Sequence, residues 1–450
     1  MSQVRSALII LCICFFSDLF AKQIRISSLE ELSEYAEKSG NSITLAPGIY
    51  KLAEFLTVDS LEARRNRKMY QFITFSGDNN TFNFKGVKIL VDTELRTILK
   101  PKIHSTEFLI SGSGNTISGL KLEYIGKGTS PGGVALEVAG NNNIVRGVTI
   151  HVTGSYPYGY GDLFGKGRES VIRHKKHSGF LVTGSNTKIL GCKLYMKSFG
   201  HGFFIQKNAE NIYFEDCYVE GEVRKTDEIL GETSGPAFDV NFKTWTENRS
   251  GEYKVTPGYV KSLCEDGFRT YGRIKNIQFK NCTAKNTRAG FELRAASNVN
   301  LENCKAIGTE RGFWVGDNAI LENCKGDAAH GPLFYIEGSS VKAQFTLMST
   351  TANVMVHVLG TIQESNNEVV IKTEKEGTIR PSKVPILIGF SPPRHGESMS
   401  PIADFETSGL KLTNETRMPL IIGGQAKDCE LKTFGSVIEN KGTKVNIINL

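Results

Sequence analysis

Short apolar segments recur along the middle of the chain, and each begins with a polar or small residue followed by a glycine. One of them reads His201-Gly-Phe-Phe-Ile, and the others occupy residues 178–182, 289–293, 311–315 and, more loosely, 330–334. Alternation of apolar and polar positions is typical of strands. A repeat of about twenty residues is typical of a solenoid, whose short units stack because none can bury a core alone. The pattern therefore predicts a stack of parallel strands.

Such a stack would align the residues that precede each glycine in a column along one edge of a sheet. The column consists of Ser178, His201, Ala289, Arg311 and His330. Two histidines and an arginine in one column predict a functional site there.

His201 is the centre of this prediction. Strict alternation through Phe203 and Ile205 assigns the histidine to the inward face, as a turn residue at the edge of the core. The flanking glycines, Gly200 and Gly202, permit a bend that turns the side chain outward. We favour the outward, functional orientation.

A second repeated phrase, Asn-x-x-hydrophobic-x-x-Cys, ends several alternating strands. Its cysteines are Cys192, Cys217, Cys282, Cys304 and Cys324. A cysteine at one fixed position of a repeat is expected to act as a small buried hydrophobe. The chain has no Cys-x-x-Cys pair, so a cysteine metal site is not indicated.

Residues 1–21 have the pattern of a signal peptide. Arg5 supplies the charged start, residues 7–16 form the apolar centre, and Ala21 is a small residue suited to cleavage. The apolar run is too short to span a bilayer. We therefore expect export to the periplasm or out of the cell, and no membrane span.

An amphipathic helix is predicted directly after this leader, over residues 28–38. Ser27 or Ser28 supplies the N-cap, and Leu29, Leu32 and Ala36 fall on one face. A strand follows, with the phrase Leu-Ala-Pro-Gly-Ile-Tyr at 45–50. This opening resembles the N-terminal cap of right-handed parallel β-helix proteins, the pectate-lyase-like superfamily.

The resemblance implies an all-β fold, a right-handed parallel β-helix with an N-terminal capping helix over the open end of the solenoid. We assign residues 22–345 to the β-helix, and residues 346–450 either continue it or form a β-rich cap. Insertions at 156–176 and 220–273 interrupt the repeat and are dense in charge. Long loops on a regular scaffold often carry function, and stacking would bring both beside His201.

The net charge refines this picture only a little. It is +7, and it stays +7 without residues 1–21 because Arg5 and Asp18 cancel. The excess favours an acidic partner. The basic residues are not interleaved with aromatic ones, so a nucleic acid is not indicated. The oligomeric state is left open.

The column and the insertions together offer the groups needed to remove a proton beside a carboxylate, namely a base and neutralising cations. For catalysis we expect His201 or Tyr271 as base or acid, with Arg224 and Arg269 as neutralisers. The candidates for substrate binding are Lys176, His177, Glu232, Glu265, Arg288 and Arg311. The alternative is that these loops only form salt bridges with one another.

Two short motifs, Gly200-His-Gly202 and Arg273-Ile-Lys275, resemble motifs of the polygalacturonases, which are β-helix hydrolases. That family also carries aspartate motifs upstream, whereas no aspartate lies here between Asp162 and Asp216. The acid–base pair of hydrolysis is then missing. A hydrolase would have to draw its carboxylates from Glu228, Glu232, Glu265 and Asp266.

The other relatives that the resemblance implies are polysaccharide lyases, uronan epimerases and dehydratase-type enzymes, which begin by removing the C5 proton of a uronic acid. We expect a carbon–oxygen lyase that acts by β-elimination on uronic-acid-containing poly- or oligosaccharides, sulfated or not, and expels a glycan or water. Calcium often neutralises the carboxylate in this superfamily, and the same four carboxylates are its alternative ligands. A non-catalytic glycan-binding β-helix is the alternative outside the enzymes.

Overall fold

The computed structural model describes residues 22–63, 69–98, 104–166, 171–207, 209–248, 251–348, 357–359, 365–374, 385–390 and 406–450. The expected signal peptide, residues 1–21, lies outside these ranges.

Three short strands make up each coil in the central part of the chain. One coil contains Lys188–Leu190, Lys193–Lys197 and Phe203–Ile205. Each of these strands pairs in parallel with its counterparts in the coils before and after it. The first two belong to one large sheet and the third to a ten-stranded sheet. The predicted parallel β-helix is confirmed.

The strands of the ten-stranded sheet are Met69–Tyr70, Ile73–Phe75, His104–Ile110, Gly133–Val138, His177–Val182, Phe203–Ile205, Phe268–Thr270, Ala289–Leu293, Arg311–Val315 and Phe334–Ile336. Those of the large sheet are Lys22–Ile26, Asn41–Leu45, Gly48–Lys51, Thr81–Asn83, Val87–Asp92, Thr116–Ser118, Lys121–Ile125, Ile144–Arg146, Thr149–Thr153, Lys188–Leu190, Lys193–Lys197, Glu210–Glu215, Tyr218–Glu220, Ile274–Lys280, Thr283–Lys285, Ala296–Glu302, Lys305–Ile307, Ile320–Gly326, Lys342–Leu347, Glu368–Thr373, Lys411–Asn414, Glu430–Thr433 and Asn446–Asn449.

Smaller sheets complete the strand content of these ranges. Four parallel strands are His357–Leu359, Ile386–Ile388, Leu420–Ile422 and Val437–Asn440, and two more pairs are Val223–Lys225 with Val260–Ser262 and Thr407–Ser408 with Ala426–Lys427. The described helices are Leu29–Ala36, Leu52–Phe55, Val58–Ala63, Leu95–Ile98, Thr226–Leu230 and Pro236–Asp239. None of these helices has the length and apolar content needed to cross a membrane.

Asparagines stack at one corner of successive coils. Asn211, Asn276 and Asn298 have φ angles of 58°, 58° and 54°, a left-handed conformation that asparagine tolerates better than most residues. The amide of Asn276 donates to Asn211 at 3.2 Å, and that of Asn298 donates to Asn276 at 3.2 Å. These asparagines open the repeated cysteine phrase, so the phrase encodes a corner of the coil as well as a strand.

The core inside the coils is a set of stacked rings and thiols. Phe203, Phe268, Phe291 and Phe313 stack in order with ring centroids 5.1, 4.7 and 5.0 Å apart. The five repeat cysteines are at most 1% exposed, and they are not in disulfides. The prediction that they are buried and unpaired is confirmed.

The predicted N-terminal helix is present as Leu29–Ala36. The Ser28 hydroxyl accepts a hydrogen bond from the Glu31 amide at 3.2 Å, which satisfies one of the free N–H groups of the first turn. Leu29 and Leu32 are buried in the main core. The role of this helix as a cap stays a prediction.

Strands of the C-terminal segment pair with the large sheet. Lys342–Leu347 pairs with Glu368–Thr373, which pairs in turn with Lys411–Asn414, and all of these pairings are parallel. The parallel arrangement therefore extends beyond residue 345.

The two insertions contact each other. Strands Val223–Lys225 and Val260–Ser262 of the second insertion form an antiparallel pair. Tyr160 and Phe164 of the first insertion share a small apolar cluster with Ile229 of the second. The insertions therefore form a joint layer with its own core.

Replacing Cys304 by alanine should lower the free energy of unfolding by about 1–2 kcal/mol, because a small cavity remains in a packed column. Urea unfolding measures this change. The neighbouring side chain of Lys305 is exposed, so Lys305→Ala is the control and should change the free energy by less than about 0.5 kcal/mol. A Cys304→Ala variant as stable as the unmodified protein would contradict the packing described.

Candidate active site

The register of the ten-stranded sheet defines which residues share the column before the strands. Phe180, Phe203, Phe268, Phe291 and Phe313 are partners in successive strands. The residues two positions earlier are therefore Ser178, His201, Asp266, Ala289 and Arg311.

His330 does not belong to this column, which corrects the prediction. Phe334 is the partner of Phe313, so Pro332 takes the position expected for His330. Asp266 occupies the position next to His201 and had been hidden by the second insertion, which separates the two strands in sequence. In the column, His201 and Asp266 are therefore direct neighbours.

The glycines beside His201 are required by close backbone contacts. A Cβ on Gly200 would lie 2.4 Å from the carbonyl oxygen of His177, and one on Gly202 would lie 2.6 Å from Val219 Cγ2. Only glycine therefore fits at positions 200 and 202, and the bend between them turns the imidazole of His201 away from the core. The ring lies 5.5 Å from that of Phe204, which faces outward.

His201 forms a short hydrogen bond with Tyr271. The distance from Nε2 to the tyrosine Oη is 2.6 Å. Two carboxylates lie behind the imidazole, with Glu265 Oε2 3.4 Å from Nε2 and Asp266 Oδ2 3.3 Å from Nδ1. All four side chains come from the coil of His201 and the next coil, so the stacking of coils assembles the group.

Both carboxylates are held by cations. Arg288 donates to both oxygens of Asp266 at 2.9 and 3.0 Å, and Lys176 Nζ lies 2.8 Å from Glu265 Oε1. Burial alone would raise the pKa of Glu265, but His201, Lys176 and Arg288 outweigh it and lower the pKa to about 2. Burial also opposes ionisation of Asp266, yet Arg288 and His201 hold its pKa well below the usual range. Both groups are carboxylates at neutral pH.

Tyr271 is protonated at neutral pH. Burial, together with the negative charge of Glu265, raises its pKa to about 12. The guanidinium of Arg269 lies 4.5 Å from the centre of the tyrosine ring and forms an ion pair with Glu292. Arg269 therefore packs behind the tyrosine and is already neutralised.

A cavity of 850 Å³ opens in front of this group, and His201 and Tyr271 line it. Among the residues that the structure describes, its lining includes six basic side chains and one carboxylate, Glu137. The basic residues are Arg96, Lys166, Arg173, Lys175, Lys176 and Lys207. A space of this size and charge suits an anionic ligand.

His174 adds a neutral polar group to the cavity wall. Burial and the nearby charge of Lys176 lower its pKa to about 4. Neither ring nitrogen has a hydrogen-bond partner among the described residues, although the side chain is buried. One nitrogen is a donor and the other an acceptor, which matches a sugar hydroxyl.

Lys166 was missed by the sequence analysis. Burial, helped by the charge of Arg288, lowers its pKa to about 7. Its Nζ lies 3.5 Å from Asp162 Oδ2. Asp162 could have pointed to Lys166 as its partner, because it is an acidic residue within a largely basic insertion.

Arg224 and its carboxylate partners lie apart from this group. The guanidinium is 2.7 Å from Glu232 and 3.9 Å from Glu228, and it lies over the ring of Tyr160. These residues join the two insertions and do not line the cavity. The placement argues against the predicted neutralising role of Arg224 and the binding role of Glu232.

His177 is also not available to a ligand, which corrects its predicted binding role. It is fully buried, 3.1 Å from Arg96 and 3.0 Å from the Ser130 hydroxyl. Arg311 lies farther along the sheet, 3.7 Å from Glu292 and over the ring of Trp314. Of the predicted site residues, the structure brings together His201, Tyr271, Arg269, Glu265, Asp266, Arg288 and Lys176.

The four carboxylates proposed as alternative calcium ligands are divided between two places. Glu228 and Glu232 pair with Arg224, whereas Glu265 and Asp266 pair with Lys176 and Arg288. Within the ranges that the structure describes, no three His, Cys, Asp or Glu side chains gather in a way that suits a metal ion. These four residues therefore do not fit a shared calcium site.

Buried ion pairs fasten the insertions to the coils next to His201. Lys261 Nζ lies 2.7 Å from Asp162 and 2.8 Å from Glu310, and Arg288 lies 3.3 Å from Asp162. The side chains of Asp162, Lys261 and Arg288 are at most 6% exposed, and that of Glu310 is 11% exposed. We call Asp162, Lys261, Arg288 and Glu310 the ion clamp.

Comparison with known proteins agrees with this architecture. Residues 256–369 match the family model described as "right handed beta helix region". No curated protein matches the sequence. The chain is a right-handed parallel β-helix.

Several solved structures share this β-helix. One is the alginate lyase AlyF-OU02 in complex with G6, with 12% identity, a TM-score of 0.52, and coverage of 94% of this chain and 87% of that one. A second is a mannuronic acid specific family 6 polysaccharide lyase from human gut microbiota, with 8% identity, a TM-score of 0.50, and coverage of 95% and 83%. At these identities the likeness shows the fold alone.

Replacing Lys261 by methionine should destabilise the β-helix by about 3–5 kcal/mol, because Asp162 and Glu310 would lose a buried cation. Urea unfolding measures the loss. Lys197→Met is the matched control, since Lys197 is 66% exposed and lies 3.8 Å from Glu222, and it should cost less than about 1 kcal/mol. Equal stability of the two variants would disprove the structural importance of the ion clamp.

Proposed function

We propose that this protein is an exported carbon–oxygen lyase that acts by β-elimination on a glycan containing uronic acid. The observation that carries the proposal is the His201–Tyr271 hydrogen bond of 2.6 Å at the wall of a cavity lined by six basic side chains. The pair supplies acid and base, and the basic lining suits a carboxylate-bearing substrate.

The two proton transfers are assigned to the two members of the pair. His201 takes the C5 proton, and the C4–O bond breaks as the C4=C5 double bond forms. Tyr271, whose raised pKa keeps it protonated, gives its proton to the leaving oxygen. Glu265 and Asp266 stabilise the imidazolium that results, because both are ionised and within 3.4 Å of the ring.

Cations in the cavity stabilise the sugar carboxylate, whose negative charge grows as C5 loses its proton. Lys176 is placed for this role, because it lines the cavity and also contacts Glu265 behind His201. Arg173 and Lys175 extend the positive lining. His174 is neutral and supports the site through hydrogen bonds to hydroxyl groups.

Elimination suits this group better than hydrolysis. A glycosidase requires a carboxylic acid that remains protonated, usually through a raised pKa. Glu265 and Asp266 have lowered pKa values, and cations hold both of them. Neither is therefore suited to protonate a leaving sugar.

The substrate class is also supported by the fold. One structure with this fold is named a mannuronic acid specific lyase. We carry over from it only the class of substrate, a glycan containing uronic acid.

Replacing His201 by glutamine or alanine should reduce turnover of a uronan by roughly 10²–10⁴-fold, because neither side chain can accept the C5 proton. Ultraviolet absorbance of the conjugated double bond measures the rate, and circular dichroism checks folding. His151→Gln is the matched control, since His151 is exposed on the large sheet and stacks on Tyr195. A folded, fully active His201→Gln variant would disprove the assignment.

Reducing the carboxyl groups of the glycan to alcohols should abolish both binding and turnover, because the basic lining would lose its counter-charges. Titration calorimetry with the native and reduced glycan measures binding. A neutral glucan serves as the control ligand and should not bind. Equal affinity for the native and reduced glycans would contradict recognition of the carboxylate.

A further inference from the structure

His201 and Tyr271, which we call the catalytic pair, lie at one end of the cavity. The lining begins at the strand His104–Ile110, continues through Gly133–Val138 and His177–Val182, and ends at Tyr271. These coils span about 19 Å along the solenoid axis, given the usual distance between neighbouring strands. Among the described residues, the lining includes none from the coils after Tyr271.

One outward-facing row of the ten-stranded sheet shows where the cavity stops. In register along the sheet, this row contains Glu137, Leu181, Phe204, Arg269, Glu292, Trp314 and Tyr335. The first three line the cavity, and the other four do not. The boundary falls between Phe204 and Arg269, beside the catalytic pair.

The outward face beyond this boundary is covered. Glu292 is 3% exposed, Trp314 6% and Tyr335 1%. Trp314 and Tyr335 pack with Leu387 of the C-terminal segment in a separate apolar cluster. The three cavity-lining members of the row, Glu137, Leu181 and Phe204, have similarly low exposure, at 4%, 7% and 8%. The two sides of the boundary therefore differ in what covers the row, which is the cavity on one side and Leu387 of the C-terminal segment on the other.

The ion clamp closes the same end of the cavity, at the edge of the ten-stranded sheet where the column of pre-glycine residues lies. Arg288 and Glu310 belong to the coils after His201, and they hold Asp162 of the first insertion and Lys261 of the second. Both insertions are thus fastened over the sheet directly beyond the catalytic pair. The cavity is open on one side of the pair and walled on the other.

We propose that the enzyme acts only on the terminal unit of a glycan chain, whose remaining units lie along the open side of the cavity. This inference rests on the proposed function. A chain bound in its middle would have to pass the ion clamp and the side chains of Trp314 and Tyr335 that pack with Leu387. Only a chain end can place its last uronic acid at His201 and Tyr271.

The elimination can take place at either end of the glycan chain, and atoms and electrons balance in both cases. If the non-reducing end meets the wall, the C4 hydroxyl of the last unit takes the proton of Tyr271 and leaves as water. If the reducing end meets the wall, the last unit leaves as an unsaturated monosaccharide, and the glycan keeps the protonated oxygen. Mass spectrometry of the first products identifies the end.

The test follows double-bond absorbance and viscosity together during digestion of a long uronan. Chain-end action should raise the absorbance with almost no early loss of viscosity. Shearing the polymer to half its mean length at constant mass should double the initial rate, because the number of ends doubles. A rapid fall in viscosity with the first absorbance, or a rate independent of chain number, would overturn the inference while leaving elimination intact.

Absence of absorbance with every uronan tested would instead overturn the proposed function and, with it, this inference. A pair of variants tests the one-sided cavity directly. Lys175→Ala, on the open side, should raise KM severalfold. Arg294→Ala, beyond the pair and 4.2 Å from the Trp314 ring, should leave KM unchanged. Equal increases in both would show that substrate crosses the wall.

Discussion

The hydrogen-bond register between successive coils determines which side chains become neighbours in this protein. His201 and Asp266 are far apart in sequence, yet they follow one another in the column because Phe203 pairs with Phe268. Stacked phenylalanines and corner asparagines hold that register from inside and outside the core. A slip of one residue would turn every outward side chain inward. The candidate site therefore depends on the scaffold as a whole.

Charge burial is the second constraint on the site. Glu265, Asp266 and Arg288 are all at least nine-tenths buried, and an unpaired charge in such a place is costly. Each therefore has an opposite charge within contact distance. The arrangement leaves the His201–Tyr271 pair at the surface of the cavity, with the negative charges of Glu265 and Asp266 behind the imidazole.

Local periodicity accounts for most of what the sequence predicted. The strands, the buried cysteines, the helix at Leu29–Ala36 and the outward turn of His201 all follow from neighbours in the chain. Contacts between insertions do not follow from any repeat. Arg224 was expected at the site, yet it meets Glu232 instead, and Lys166 went unnoticed because only the folded loop buries it. Roles in catalysis remain predictions for all of these residues.

Arg288 couples the candidate site to the first insertion. The same guanidinium binds Asp266, which belongs to the site, and Asp162, which belongs to the first insertion. A disturbance that pulled the insertion away would remove a competing anion from Arg288 and change how strongly Asp266 holds the imidazole of His201. Movement of a surface loop would thus reach His201 through one shared guanidinium.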